Sequence, residues 1–444
     1  MDDSKPREPQ ELYILVTGAN SGLGFSICCR LADEFLSSHH YDDSLTIIFT
    51  TRSARKAEDT RHRLEAHLQS STSSSNAARV KFVSESVDLG DLLSARALSR
   101  RLLQTFPKLD AIILNAGIGG WCGIGWLEAI WGILTDLISQ VTWPTFKLAH
   151  VGVLTDRQTE KEEEPVLGNV FCSNVFGHYM LAHNVAPLLK KANSPNGPGR
   201  VVWVSSIEGT INFFNIDDIQ GLKSKNPYES SKALTDILAL TSDQPYTAPW
   251  AVDSFLSNDQ TDEKDQVTEE NTPTMYVSHP GICATSIVPL ALPLVWGMVA
   301  AFWLARMLGS PWHSMSTYTG AWSPVFLALS SQGALDAAES PYRESGGGRV
   351  KWGSSANRLG VGNVCSTEVD GWGHGGVVGR AVVESDRNRR RKRGVVDLTA
   401  EAKGNFEELG RQCWKQMEEL RIKWDAILDR AEKDKGAAVA AAET

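Results

Sequence analysis

The 444-residue chain predicts an α/β fold, a parallel sheet with helices on both faces. Three observations carry this. Apolar runs of strand length alternate with helical runs through about the first 240 residues. The first strand leads through a glycine turn straight into a helix. Further on, Tyr228 and Lys232 stand four residues apart, on one face of a helix.

Composition narrows the class. Hydrophobic residues make up 42% and charged residues 22%, ordinary values for a globular protein. A formal charge of -9 argues against a nucleic-acid partner. The seven cysteines contain no C-x-x-C pair and no metal-ligand spacing, which fits a reducing compartment and no metal. Residues 1–10 are polar and of mixed charge, unlike a signal peptide.

Leu12–Val16 reads as a short buried strand and Phe25–Phe35 as a helix. Between them Thr17-Gly18-Ala19-Asn20-Ser21-Gly22-Leu23-Gly24 forms a dinucleotide cradle. Gly18 permits the tight turn, Gly22 admits a pyrophosphate to the backbone, and Gly24 lets helix and strand pack closely. Thr17, Asn20, Ser21 and Leu23 complete the candidate contacts. The second strand, Leu45–Thr50, ends in Thr51-Arg52, where an NAD site would place a carboxylate. A guanidinium at Arg52 suits a 2′-phosphate, so NADPH is the expected cofactor; the plain alternative is that Arg52 and Arg55 begin a solvated helix.

Ser70–Asn76 reads as a polar loop and Val80–Val87 as the third strand. Asp88 after it either binds an adenine amino group or caps the next helix. The fourth strand, Leu109–Leu114, closes in Asn115-Ala116-Gly117, small residues against which a cofactor can lie. Trp121–Leu148 is rich in tryptophan and poor in charge. It reads as an inserted lid, an apolar wall for a large substrate, or an interfacial helix. Val170–Leu189 is a helix holding Asn174 and a packed His178. Arg200–Val204 is the fifth strand, followed by Ser205 and Ser206. In the helix that follows, the ammonium of Lys232 one turn from the phenol of Tyr228 favours phenolate. The pair is thereby suited to give a proton to a carbonyl oxygen receiving hydride.

Thr17–Gly24, Asn115–Gly117 and Tyr228–Lys232, in that order, resemble the short-chain dehydrogenase/reductase family over roughly residues 11–335. The resemblance implies a Rossmann-type doubly wound parallel sheet. It makes Tyr228 the acid, Lys232 a ligand of the nicotinamide ribose, Ser206 the residue that orients the substrate carbonyl, and Asn174 a helix-kinking residue on a proton relay. It also implies that Pro280 and Gly281, after the sixth strand Met275–Ser278, flank the nicotinamide and that Thr285 binds its carboxamide or a phosphate.

The stretches Pro227–Leu240, His279–Thr285 and Ile287–Leu290, with the apolar segment after them, are most similar to the fungal 3-ketosteroid reductases of sterol C-4 demethylation. The implied reaction is NADPH-dependent reduction of a 4-methylated 3-ketosterol to the 3β-alcohol, in ergosterol synthesis. The implied setting is the cytosolic face of the endoplasmic reticulum membrane or a lipid droplet, beside other C-4 demethylation enzymes. Alternatives are a reductase of another lipophilic carbonyl (retinal, keto lipid or polyketide) and a non-catalytic scaffold.

Residues 287–308 carry Arg306 as their sole charge. They read as a monotopic membrane insertion, a span, or a lid over the substrate, with Trp296, Trp303 and Arg306 as interfacial anchors. The domain reading is a reductase domain over 1–335, with insertions near 121–168 and 243–273. A poorly ordered Gly/Arg-rich linker follows over 336–403, and a C-terminal helical extension over 404–444. In that extension Phe406, Leu409, Cys413, Met417, Leu420, Trp424 and Ile427 recur at helical spacing and must dock.

Overall fold

The computed structural model describes residues 8–159, 164–192, 197–257, 272–283 and 292–442. Thr285, the start of the apolar segment 287–308 and most of the acidic stretch 253–272 lie outside the described residues.

Strands β1 (Glu11–Val16), β2 (Ser44–Thr51), β3 (Val80–Ser86) and β4 (Ala111–Leu114) alternate with helices α1 (Gly22–Ser38), α2 (Ala54–Ser71) and α3 (Leu92–Thr105). A two-stranded antiparallel hairpin, β5 (Trp121–Ile124) and β6 (Lys147–Ala149), encloses α4 (Trp126–Thr135) and α5 (Leu137–Thr142). A π-helical turn, Cys172–Phe176, then enters α6 (Gly177–Asn184). Next come β7 (Arg200–Val204), α7 (Pro227–Leu240), β8 (Thr274–His279) and α8 (Leu292–Met307). After them follow α9 (Trp322–Leu329), α10 (Gln332–Arg343), β9 (Lys351–Ala356), β10 (Gly362–Ser366) and the long α11 (Ala400–Ala442).

The main sheet has eight strands in the order β10-β9-β8-β7-β4-β1-β2-β3. All neighbours are parallel except β10 on β9. Strands β1, β4 and β7 are buried on both faces, as continuous apolar runs require when helices cover both sides. The strand order reverses at β1 and β4, so a crevice opens beyond their C-terminal ends.

The stretch 336–403 is no linker. Lys351–Ala356 is a fully buried strand, and Val277 to His279 of β8 pair with Lys351 to Gly353. The basic run after it is held by its own carboxylates: Arg389 on Asp386, Arg391 on Glu368 and Asp397, Lys392 on Asp370. The extension docks as its spacing requires. Phe406, Cys413, Met417 and Trp424 are buried, with Trp414 beside them. Trp414 Nε1 donates to the Leu238 carbonyl of α7 at 3.1 Å, and Tyr179 Oη donates to Glu418 at 2.6 Å. Each large buried ring contributes about 1.5–3 kcal/mol of transfer free energy.

Of the three anchors read into the apolar segment, Trp296 and Trp303 are exposed but Arg306 is buried, its guanidinium 4.3 Å from the Trp303 ring centroid. Helix α8 is 16 residues long, and no helix among the described residues is long and apolar enough to cross a membrane.

Candidate active site

The turn after β1 is built by close approach. Gly18 sits at φ +69°, and a Cβ on Gly24 would stand 2.2 Å from the Gly18 carbonyl oxygen, so α1 can start against the turn only with glycine there. Helix α1 begins without a side-chain cap at Ser21, leaving its first amides toward the crevice. The cradle fits an anionic dinucleotide on these grounds.

Thr17 does not take part. It is fully buried, and its hydroxyl accepts from the amides of Asn115 and Ala116 at 2.9 and 3.0 Å and meets His178 Nε2 at 2.8 Å. It pins the glycine turn to the end of β4. His178 is the packed residue its position suggests, and burial pushes its imidazole down to about 3.

A cavity of about 890 Å³ runs from this cradle. Gly18, Asn20, Ser21, Gly22, Leu23 and Gly24 line it, with Arg52, Asp88, Asn115, Ala116 and Gly117. Ser206, Tyr228 and Lys232 also line it, as do Pro280 and Gly281. Its far wall is apolar: Trp121, Ile124, Trp126, Ile133, Val141 and Phe146 from the inserted segment, and Leu294, Met298, Ala301 and Phe302 from α8. The insertion 121–149 is thus a wall of the cavity. Asp88 lines the site without capping α3: its side chain accepts from the Gly90 amide at 3.0 Å, and Asp91 is the cap, accepting from Ser94.

Helix α7 opens with Pro227 at its first turn and buries nearly every residue after it. The Ser206 hydroxyl accepts from the Glu208 amide at 3.2 Å, and Ser206 and the half-buried Tyr228 line the same cavity despite the long stretch between them. Ser205 points elsewhere, to the Lys232 carbonyl at 3.3 Å.

Two expected roles change. Lys232 Nζ donates to the Val204 carbonyl at 2.9 Å and lies 5.8 Å from the Tyr228 ring centroid. Burial lowers its pKa to about 8. The Tyr228 pKa is raised all the same: burial and the carboxylates of Glu208 and Glu229 push it up, and Ser206 offsets part of the rise. Asn174 does not line the cavity. It lies in the π-helical turn, which does distort the helix. Its amide accepts from Ile118 N at 2.8 Å and donates to Ile118 O at 3.0 Å and Ser231 Oγ at 3.1 Å. The side chain clamps the loop after β4 to α7.

Several residues around the corner escaped the sequence reading. Lys351 of β9 pairs with Asp236 at 2.6 Å, both side chains 2% exposed, and reaches the Ser206 carbonyl. Lys147 of β6 pairs with Glu208 and Glu229. Each pair joins positions far apart in sequence, so no local pattern announces it.

No family model matches the chain. It is 62% identical over 440 residues to the 3-keto-steroid reductase erg27 of Aspergillus fumigatus, covering 97% of this chain and 98% of that one. It is 39% identical to the 3-keto-steroid reductase ERG27 of Gibberella zeae, with 96% of each covered. Against the 3-keto-steroid reductase erg27 of Schizosaccharomyces pombe the identity is 32%, covering 81% of this chain and 90% of that one. Among solved structures, salutaridine reductase from Papaver somniferum aligns with TM-score 0.39 and 18% identity, over 62% of this chain and 88% of that one. A short chain dehydrogenase from Salmonella enterica aligns with TM-score 0.40 and 17% identity, over 73% and 93%. The near-full-length identities, with the glycine turn, Asn115–Gly117 and the Tyr228–Lys232 pair in one cavity, establish that the chain belongs to the 3-keto-steroid reductases.

Proposed function

We propose that this protein reduces the 3-keto group of 4-methylated sterol intermediates to the 3β-hydroxyl with NADPH, in sterol C-4 demethylation on the way to ergosterol. The observation that carries the reading is the single cavity that joins the glycine cradle, the Ser206–Tyr228 corner and an apolar wall. Its volume is within the range of about 300–1,000 Å³ usual for small-molecule sites. A nicotinamide cofactor bound there would supply hydride to the carbonyl carbon. The backbone at Gly18–Gly24 and the start of α1 hold its phosphates, and Arg52 at the rim suits a 2′-phosphate.

Ser206 orients the substrate carbonyl, and Tyr228 gives its proton to the oxygen as the C–H bond forms. With its pKa raised by burial, Tyr228 stays protonated at neutral pH, the state a donor needs. Lys232 is buried beside it and is suited to ribose hydroxyls. The apolar wall excludes water from the reacting corner.

The exposed apolar side chains of α4 (Leu127, Trp131, Leu134) and α8 (Trp296, Trp303, Met307) border this wall. They support attachment to a membrane surface, from which a sterol ketone would enter. The setting we propose, carried by the resemblance to the sterol reductases, is the cytosolic face of the endoplasmic reticulum or lipid droplets, beside other C-4 demethylation enzymes.

The test is oxidation of NADPH by the detergent-solubilised protein with a 4-methyl-3-ketosterol, with NADH and retinal in parallel. Sterol-dependent turnover that prefers NADPH is expected. Turnover of retinal and not sterol would replace the substrate; NADPH binding with no turnover of either would favour a scaffold.

A further inference from the structure

The inserted segment brings a charge into the reacting corner. Lys147, on β6, is 8% exposed and pairs with Glu208 on the loop after β7 and with Glu229 of α7, the latter at 3.4 Å. Its ammonium lies 3.9 Å from the Trp121 ring centroid and 5.5 Å from that of Tyr228. The Trp121 and Tyr228 rings lie 4.8 Å apart, so Lys147 seats on both. Two ammonium groups therefore lie near Tyr228, Lys147 from the insertion and, at 5.8 Å from its ring centroid, Lys232 from its own helix. The other groups that face it are Ser206 and Glu208 from the loop, Glu229 from α7 and Trp121 from β5.

We propose that Lys147 is a positioning residue of the reduction: it holds the Trp121 wall on Tyr228 and balances Glu208, so that the phenolate left by proton transfer does not form against an unpaired carboxylate. The proposal rests on Tyr228 being the proton donor. The balance is electrostatic. Glu208 is 13% exposed and lines the same cavity, where charges are weakly screened. As the Tyr228 O–H bond breaks and the substrate O–H bond forms, the negative charge moves onto Tyr228 Oη. The nearby ammonium groups stabilise it; a lone Glu208 carboxylate opposes it.

The experiment compares Lys147→Met, Lys147→Arg, Glu208→Gln and the Lys147→Met/Glu208→Gln double variant, with Tyr228→Phe in parallel. It measures kcat and KM for 3-ketosteroid reduction, and the pH profile of the reverse alcohol oxidation, which needs phenolate and so rises with pH. Lys147→Met is expected to lower kcat on the order of tenfold with KM little changed, and to require a higher pH for the same oxidation rate. Lys147→Arg restores most of the rate. Adding Glu208→Gln to Lys147→Met restores part of it, because the opposing charge is gone; loss of mere packing would not be repaired by removing a second polar group.

Wild-type kcat and an unmoved pH profile in Lys147→Met overturn the proposal, as does a double variant slower than the single one. Should Lys147→Met fail to fold, Glu208→Gln alone decides: its oxidation profile moves to lower pH, and an unmoved profile overturns the proposal. Full turnover by Tyr228→Phe would remove the proton-donor reading itself, an outcome separate from these.

Discussion

The ammonium of Lys351 lies 2.6 Å from the backbone carbonyl oxygen of Ser206. The same nitrogen pairs with Asp236 of α7 at 2.6 Å. An inner strand near the sheet's far edge thus supports the loop that carries Ser206 and the helix that carries Tyr228.

Breaking this pair from one side leaves a buried charge without its partner. Lys351→Met is expected to cost about 3–5 kcal/mol of stability, read by denaturant unfolding. Lys351→Met/Asp236→Asn recovers part of that loss, because the orphaned carboxylate is removed as well. An unchanged midpoint in the single variant would mean that the pair does not hold the site.

Arg52 sets a cofactor prediction. It follows β2 directly and lines the cavity. Arg52→Glu should raise KM for NADPH on the order of tenfold or more and change KM for NADH far less. Steady-state kinetics with both cofactors check this. Equal effects on the two would remove Arg52 from 2′-phosphate recognition.

His178 makes stability depend on pH. Burial holds its folded pKa near about 3, against an unfolded value of about 6.5. The unfolded chain therefore binds a proton that the folded chain refuses. Stability is complete above the unfolded pKa and falls as pH drops between the two values, by about 2 kcal/mol at one and a half units below the unfolded value. His279 and His313 are depressed by burial too, so several imidazoles act in one direction. His178→Gln, which can still meet Thr17, should show a shallower fall of Tm with acid than wild type. Parallel curves would contradict the assignment.

What the sequence disclosed follows from range. The glycine turn, the strand–helix alternation and the Tyr228–Lys232 spacing are local, and each appears where its residues imply. So does the docked face of α11, whose helical repeat of Phe406, Cys413, Met417 and Trp424 is buried. Residues 351–356 were illegible for a physical reason. A strand buried on both faces shows no alternation, and Gly353 is needed because a Cβ there would meet His279 Nε2 at 2.4 Å. Thr17 and Asn174 were placed by motif, yet their contacts reach to His178 and Ile118, which motif spacing does not specify. The Tyr228 environment depends on Glu208 and Lys147, brought together only by the fold.

The most direct measurement is turnover of a 4-methyl-3-ketosterol with NADPH by wild-type and Tyr228→Phe protein, with NADPH binding followed by fluorescence in both. The phenol hydroxyl is the donor in this account. Tyr228→Phe should bind NADPH as wild type does and lose at least about a hundredfold in kcat. Turnover undiminished in Tyr228→Phe, with binding intact, would contradict the account at its centre.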